Sequence, residues 1–398
     1  MGTNQADNRR NHHAISRRQF CRTAAAGLGG VAIGGCFSGI GVEPGERAEL
    51  PAPVFTGKSV ELCLNSRVSQ HFAVGGTATT AQVSSILWAA GRAPVTGAFR
   101  TIQLRTPGGS STYDPQDHAL VGQSSKAVPN AMRINYDRDR DFDAGVSYMG
   151  ALLASVSLWT GTTDQLAGCP QLGDLNFGVG SVPALTDELV AVSSDQSLPN
   201  PQTDGDDRLE DVLAGLRLET ELRADVDLTA AQLSQLLWAA YGCTPHDTII
   251  GGAGLTVPSW VAQYFLTNRI YVVDGRVTRY CNRRGSDAST RDHRLESVLD
   301  ADVRPAFRQA MPHLPAAPCY VLLCLSPSGL DTWFQRLEAG FAAGSMLLQA
   351  GALGLGCAFQ AALSTAEQTA LQAITQIPGD DRPHAVVAIG SRPADAAG

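Results

Sequence analysis

A ten-residue stretch occurs twice in this chain. Residues 81–90 read AQVSSILWAA and residues 231–240 read AQLSQLLWAA, 150 positions apart and identical at seven of ten. In each copy the large apolar residues recur at helical spacing, Val83, Ile86 and Leu87 in one and Leu233, Leu236 and Leu237 in the other, with Trp88 and Trp238 beside them. Each copy is therefore expected as an amphipathic helix, with Thr80 or Thr229 placed to cap it. Matching flanks indicate that more than the helix is repeated. Arg67 and Arg217 each precede their tryptophan by 21 residues. DAGVSYMGALLASVSLWTG (143–161) aligns with EAGFAAGSMLLQAGALGLG (338–356) at an offset of 195, and GSVP (180–183) with GSRP (390–393) at 210. The order never breaks while the offset grows. The chain reads as two homologous halves, the first trimmed.

A length of 398 residues holds two such halves, each large enough to bury a core. A net charge of −8 argues against nucleic acid as a partner, because phosphate binding requires a basic surface. The nine cysteines include no CxxC pair. Cys243 and His246 form an isolated CxxH, and a zinc site needs two more ligands at readable spacing, so no metal is expected.

Residues 1–36 are expected to be an export signal. Ser16-Arg17-Arg18-Gln19-Phe20-Cys21-Arg22 fits the twin-arginine pattern, and the Ala/Gly run that follows is too short and glycine-rich for a stable membrane span. The run ends Ile33-Gly34-Gly35-Cys36, which resembles a lipoprotein cleavage box with Cys36 as the lipid anchor, so the expected location is periplasmic or membrane-anchored. Residues 37–56 read as a tether, 57–192 as the first domain, 193–207 as a polar, proline-bearing linker, and 208–398 as the second domain. Strands are expected over 99–106, 175–180, 269–275, 318–326 and 384–391, and long helices over 143–158 and 334–352. TYDPQDHAL (112–120) is expected as a turn and DRDRDFD (137–143) as a solvated loop. Strands alternating with long helices at irregular spacing predict an α+β fold.

In the second half LSQLLWAAYG (233–242), LTVPSWVAQYFLTNRIYVV (255–273), YVLLCLS, LEAGFAAGSMLLQAGALGLG (337–356) and VVAIGSRP (386–393) form an ordered set. It resembles the nitroreductase-like flavoprotein family, and within it the SagB-type thiazoline and oxazoline dehydrogenases. The first half matches more faintly, through SRVSQHF (66–72), ILWAAG and GVGSVP. The resemblance implies FMN held at a two-fold interface, each site drawing on both subunits. In one chain, two tandem domains of antiparallel or mixed sheet flanked by long helices would pack as an intrachain pseudo-dimer, which allows a monomer.

The same resemblance implies which residues hold the flavin. Arg67, Ser69 and His71 stand where the family has its R-x-S-x-R/K phosphate motif, with Pro258 and Ser259 from the other half beneath the ring, and Thr160 and Gly161 after the long helix. A second site would use Arg217, Leu355, Gly356 and Arg392, but Glu219 and Glu221 replace Ser69 and His71 there, and carboxylates repel a phosphate. That site is expected to be dead. No acid–base pair is legible, so catalytic residues are left unassigned. IGGAGLT (250–256) lacks the spacing of a dinucleotide loop. The implied activity is that of an exported FMN-dependent oxidoreductase, passing hydride between flavin and a small molecule. A SagB-like dehydrogenase acting on an azoline in a peptide, or a non-catalytic envelope module, are the alternatives.

Overall fold

The computed structural model describes residues 42–393, apart from 69–77, 96–99, 107–108, 124–130, 137–139, 160–164, 172–173, 181–182, 191, 193–197, 249–251 and 285–289. The export signal, Cys36, Ser69, His71, Thr160 and Gly161 lie outside these residues. The described residues all belong to one compact unit.

The expected α+β architecture is present, as two antiparallel sheets and eight α-helices among the described residues. The first sheet has seven strands in the order β1-β4-β3-β2-β5-β7-β6: β1 Arg47–Glu49, β2 Thr101–Thr106, β3 Gly109–Asp114, β4 Ala119–Gln123, β5 Ala131–Asn135, β6 Gln165–Gln171 and β7 Asp174–Gly180. A two-stranded ribbon follows, β8 Cys243–Asp247 with β9 Ala253–Leu255. The second sheet has the order β12-β11-β10-β13-β15-β14: β10 Ile270–Val273, β11 Val277–Arg283, β12 Arg291–Leu299, β13 Cys319–Leu325, β14 Leu355–Ala361 and β15 Arg382–Ser391. The helices are α1 Val60–Ser66, α2 Thr80–Gly91, α3 Asp141–Ser157, α4 Leu209–Ala214, α5 Ala230–Tyr241, α6 Arg304–Ala310, α7 Trp333–Ala352 and α8 Thr365–Thr375. None of them is long and apolar enough to cross a membrane.

Two expectations are corrected. The stretch 112–120 is not one turn: Tyr113 lies in β3 and Leu120 in β4, paired directly, and only 115–118 turn. Strand β3 runs up to Asp114 and stops just before the Pro115-Gln116-Asp117 that suggested a loop. The acidic end of 137–143 is not solvated either. Helix α3 begins at Asp141, and Asp143 is buried and paired with Arg140.

The repeated helices are α2 and α5. Both start with a complete capping box, Thr79 with Gln82 and Thr229 with Gln232, so the first cap is Thr79 and not Thr80. A second feature recurs beside each. Ser84 Oγ donates to the Pro51 carbonyl at 2.5 Å and meets His118 Nε2 at 2.7 Å, while Tyr113 OH meets His118 Nδ1 at 2.8 Å. Ser234 Oγ repeats this with the Pro199 carbonyl at 2.5 Å and His293 Nε2 at 2.7 Å, and Tyr280 OH meets His293 Nδ1 at 2.8 Å. In each half the network clamps the helix to a strand and to the segment entering the fold. With the serine proton on a carbonyl, Nε2–H donates to the serine and the tyrosine donates to Nδ1. The serine is a structural clip and not a nucleophile.

The entering segments are therefore integral to the fold. Residues 47–49 form β1, and the Phe55 ring sits 5.3 Å from that of Trp88. Residues 198–207 lie against both halves, with Ser59 Oγ donating to Asp204 at 2.6 Å and Gln202 N–H to Gln235 Oε1 at 2.7 Å.

Helices α3 and α7 form the centre and make the most extensive helix–helix contact of the described fold. Both are buried over nearly their whole length, which is why their sequences are apolar and small on every face. The crossing depends on glycine. A Cβ on Gly145 would lie 2.8 Å from Gly340 Cα, and one on Gly340 would lie 2.9 Å from Gly145 Cα.

Candidate functional site

Arg67 follows α1 and is buried at 3% exposure. Its guanidinium crosses to the second half, donating from Nε to the Thr256 carbonyl at 2.8 Å and from Nη2 to the carbonyls of Leu255 and, at 2.9 Å, Val257. Three backbone carbonyls thus hold the cation in place, and the cation holds the chain leading into Pro258-Ser259. The cleft beside it, about 380 Å³ of space partly continuous with solvent, is lined by Arg67, Thr244, His246, Ser259 and Tyr264. Arg67 and Ser259, expected from opposite halves, are brought to the same cavity, and buried Pro258 adjoins it.

The ribbon β8–β9 supplies the wall that the sequence reading missed. Thr244 is fully buried, and its Oγ1 has no hydrogen-bond partner among the described residues. His246 Nε2 is likewise buried without one. Burial, and then the Arg67 charge, push the His246 pKa down, so the ring is neutral at physiological pH. Two orphaned groups able to donate into one cleft fit a ligand rich in acceptors, because an unmet buried polar group costs about 1–3 kcal/mol. Neither CTPHD nor its spacing advertises this. Only the fold of the ribbon turns Thr244 and His246 inward.

The other wall is the segment after Pro258. Ser259 Oγ accepts from Tyr264 N–H at 2.7 Å across a single 3-10 turn, Trp260–Ala262. Ala262, Tyr264 and Asn268 all have left-handed φ, at 52°, 53° and 55°. Such strain in non-glycine residues persists only where surroundings enforce it. Arg283 lies over the Tyr264 ring at 4.8 Å, and Asn268 exchanges hydrogen bonds with Asn282 at 3.2–3.3 Å. Behind the loop stands Glu338 of α7, 1% exposed, whose Oε1 accepts from Tyr241 OH and, at 2.7 Å, from Phe265 N–H. Burial pushes its pKa up to about 7.

The residues expected for the second site also converge, around a carboxylate. Glu219 Oε1 accepts from Arg392 Nε at 2.8 Å and pairs with Arg217 Nε at 3.1 Å. Its Cγ lies where a Cβ on Gly356 would be 2.7 Å away, and Leu355 is buried in β14. Glu219 fills the space above Gly356 and is the shared ion-pair partner of both arginines. Cys243 is buried with its thiol on the Asn282 carbonyl, and no trio of metal-binding side chains occurs among the described residues.

Residues 221–391 match the Nitroreductase family. The matched stretch comprises the whole second sheet and α5 to α8. A candidate nitroreductase from Anabaena variabilis ATCC 29413 superposes on 79% of this chain and 88% of its own, with 12% identity and a TM-score of 0.53. That likeness is one of fold, and it extends beyond the family-matched stretch into the first half. A candidate nitroreductase from Ralstonia eutropha JMP134 is 24% identical over 54% of this chain and 97% of its own, at a TM-score of 0.41. An FMN-dependent nitroreductase from Clostridium difficile R20291 is 17% identical over 45% and 85%, at 0.31. None of the curated proteins compared matches the chain.

Proposed function

We propose that this protein is an exported FMN-dependent oxidoreductase with one flavin per chain, its two halves a duplicated nitroreductase unit packed as a pseudo-dimer. The observation that carries the reading is the cleft in which Arg67 of one half meets Ser259 of the other, with Thr244 and His246 unpaired in its wall. The nitroreductase domain match supports it. The flavin would be held by Arg67, Ser69, His71, Thr160, Gly161, Pro258 and Ser259, with Thr244 and His246 added from the ribbon. When bound, it supplies a two-electron carrier that accepts or delivers hydride.

The chain's own residues account for the rest. Arg67 fixes the backbone of 255–257 and puts a buried positive charge beside the cleft, which favours an anionic ligand over a neutral one. Neutral His246 and Thr244 offer donors without adding charge. Ser259 accepts from Tyr264 N–H, and its hydroxyl interacts with the buried Glu338 carboxyl, which fixes it at the edge of the cleft. Tyr264, backed by Arg283, closes the cleft against water on one side. The ion pairs of Glu219 support a single occupied site, since a carboxylate already stands between the counterpart arginines where an anion would bind. Twin-arginine export suits this reading, because that route carries proteins already folded around a cofactor.

The test is FMN titration of the apoprotein, followed by absorbance and flavin fluorescence. The expected result is one equivalent bound, weakened about tenfold or more by Thr244→Val and unchanged by Arg217→Ala, given about 1.4 kcal/mol or more for a hydrogen bond to a charged or polarised group. Absence of binding, two equal equivalents, or dependence on Arg217 alone would overturn the assignment.

A further inference from the structure

Glu338 differs from its counterpart in a way that the fold makes visible. Positions 195 apart face each other across the α3–α7 crossing, so Asp143 corresponds to Glu338 and Arg140 to Gln335. Asp143 is paired with Arg140. Glu338 has Gln335 in the place of that arginine, and no ion pair reaches it among the described residues. Its partners are instead hydrogen-bond donors of the strained segment and its neighbour. Oε1 accepts from Tyr241 OH, from Phe265 N–H at 2.7 Å and from Leu266 N–H at 3.4 Å, while Oε2 is buried with no partner.

We propose that Glu338 is a positioning residue of the cleft: its Oε1 pins the strained loop 259–268 so that Ser259 and Tyr264 face the cavity. The three left-handed residues of the loop each cost conformational energy, and two consecutive N–H groups converging on one buried oxygen offset it. The inference concerns the loop and holds whatever the cleft binds; that the pinned loop serves FMN rests on the proposed function. Glu338 is 1% exposed with no cation paired to it among the described residues, and burial raises its pKa to about 7 against the hydrogen bonds from Ser259, Tyr241, Leu266 and Phe265. The titratable and charged groups around Glu338 are Tyr241 of α5 and Tyr264 of the loop, with Arg67, Arg283 and Cys243 beyond Tyr264. Opening the loop hydrates the carboxyl and returns its pKa toward the ordinary value. The closed loop therefore holds the proton more tightly than the open one, and rising pH favours opening.

Hydrogen exchange of the 258–268 segment in the full chain, corrected for the intrinsic pH dependence, tests this. Protection in the wild type should fall at least about tenfold from pH ~5.5 to pH ~8.5. Glu338→Gln, which keeps the acceptor and cannot ionise, should stay within about twofold across that range, and Glu338→Ala should lose protection at both ends. Equal pH profiles in wild type and Glu338→Gln, or wild-type protection in Glu338→Ala, would overturn the inference. FMN titration of the same three proteins separates the two readings. Weakened FMN binding only in Glu338→Ala at the lower pH supports positioning. The expected exchange pattern without FMN binding in the wild type removes the flavin assignment and leaves the pinned loop standing.

Discussion

Gly145 and Gly340 meet backbone to backbone at the centre of the molecule, and they occupy corresponding positions in the two halves. The contact is reciprocal: a side chain on Gly145 would strike the Leu337 carbonyl, and one on Gly340 the carbonyl of Phe142, which corresponds to Leu337. Arg336 and Asp141, also 195 positions apart, are joined at 2.7 Å beside it. Residue i touching j while j touches i is the signature of an isologous two-fold contact. The proposed pseudo-dimer is built on that relation.

The crossing gives the first prediction. Gly145→Ala or Gly340→Ala forces a methyl against backbone, which cannot rotate away as a side chain can. Each should destabilise the protein by about 3 kcal/mol, the upper end of overpacking. Gly379→Ala, with nothing within 4 Å of the added carbon, serves as the control and should stay within about 0.5 kcal/mol. Denaturant midpoints measure all three, and equal midpoints would refute the reciprocal contact.

The two serine–histidine clips should not be equally important. His293 is 2% exposed, so Ser234→Ala leaves its Nε2–H and the Pro199 carbonyl without water to replace the hydroxyl, costing about 1–3 kcal/mol. His118 is half-buried and reaches the Pro51 carbonyl itself at 3.0 Å, so Ser84→Ala should cost less than about 1 kcal/mol. Thermal unfolding of both variants decides, and a larger loss for Ser84→Ala would contradict the structure.

Much of this was legible in the chain because it is local. The repeat located α2 and α5, the apolar runs located β10, β13 and β15, and the all-round small and apolar faces of 143–158 and 338–352 marked the central helices. The turn at 112–120 misled because Pro115 and Asp117 lie just past the strand that pairs Tyr113. Arg67 and Ser259 were found through a family pattern, whereas their meeting in one cleft depends on the packing of both halves. Thr244 and Glu338 gave no signal, and His246 stood out only as half of an isolated CxxH. Their importance lies in what fails to pair with them, and a missing partner is a property of long-range burial that no spacing records. Ser69, His71, Thr160 and Gly161 lie outside the described residues and await direct test.

Stability should depend on pH through two buried histidines. Burial holds His293 and His384 down to about 4, from an ordinary value near 6.5. The unfolded chain then binds more protons than the native one, so stability is fully present above about pH 6.5 and is lost as pH falls through about 4. Each histidine contributes on the order of 3 kcal/mol over that interval. Glu338 acts in the opposite sense, its contribution being complete below about pH 4.5 and lost as pH rises through about 7. Glu338→Gln should therefore show a steeper gain in stability between pH ~5 and ~6.5, and His384→Gln a shallower one, by urea unfolding across that range.

The last prediction concerns the asymmetry between the two cofactor positions. At the first, Arg67 adjoins a cleft with unpaired donors; at the second, Arg217 and Arg392 converge on Glu219, whose side chain covers Gly356. A phosphate approaching the second position meets a carboxylate that is 10% exposed and already ion-paired with both cations. Binding there must break two ion pairs and leave Glu219 as a buried like charge, a cost of about 3 kcal/mol or more. Glu219→Ser removes the carboxylate and restores the residue type found at Ser69, releasing both arginines and the space above Gly356. That variant should bind inorganic phosphate or FMN at a new site at least about a hundredfold more tightly than the wild type does there, following about 1.4 kcal/mol per tenfold. Calorimetric titration with and without Glu219→Ser, both in a Thr244→Val background that weakens the first site, reads the second site as the added binding in the Glu219→Ser protein. Should Glu219→Ser gain no anion affinity, the charge of Glu219 would not be what silences the second site.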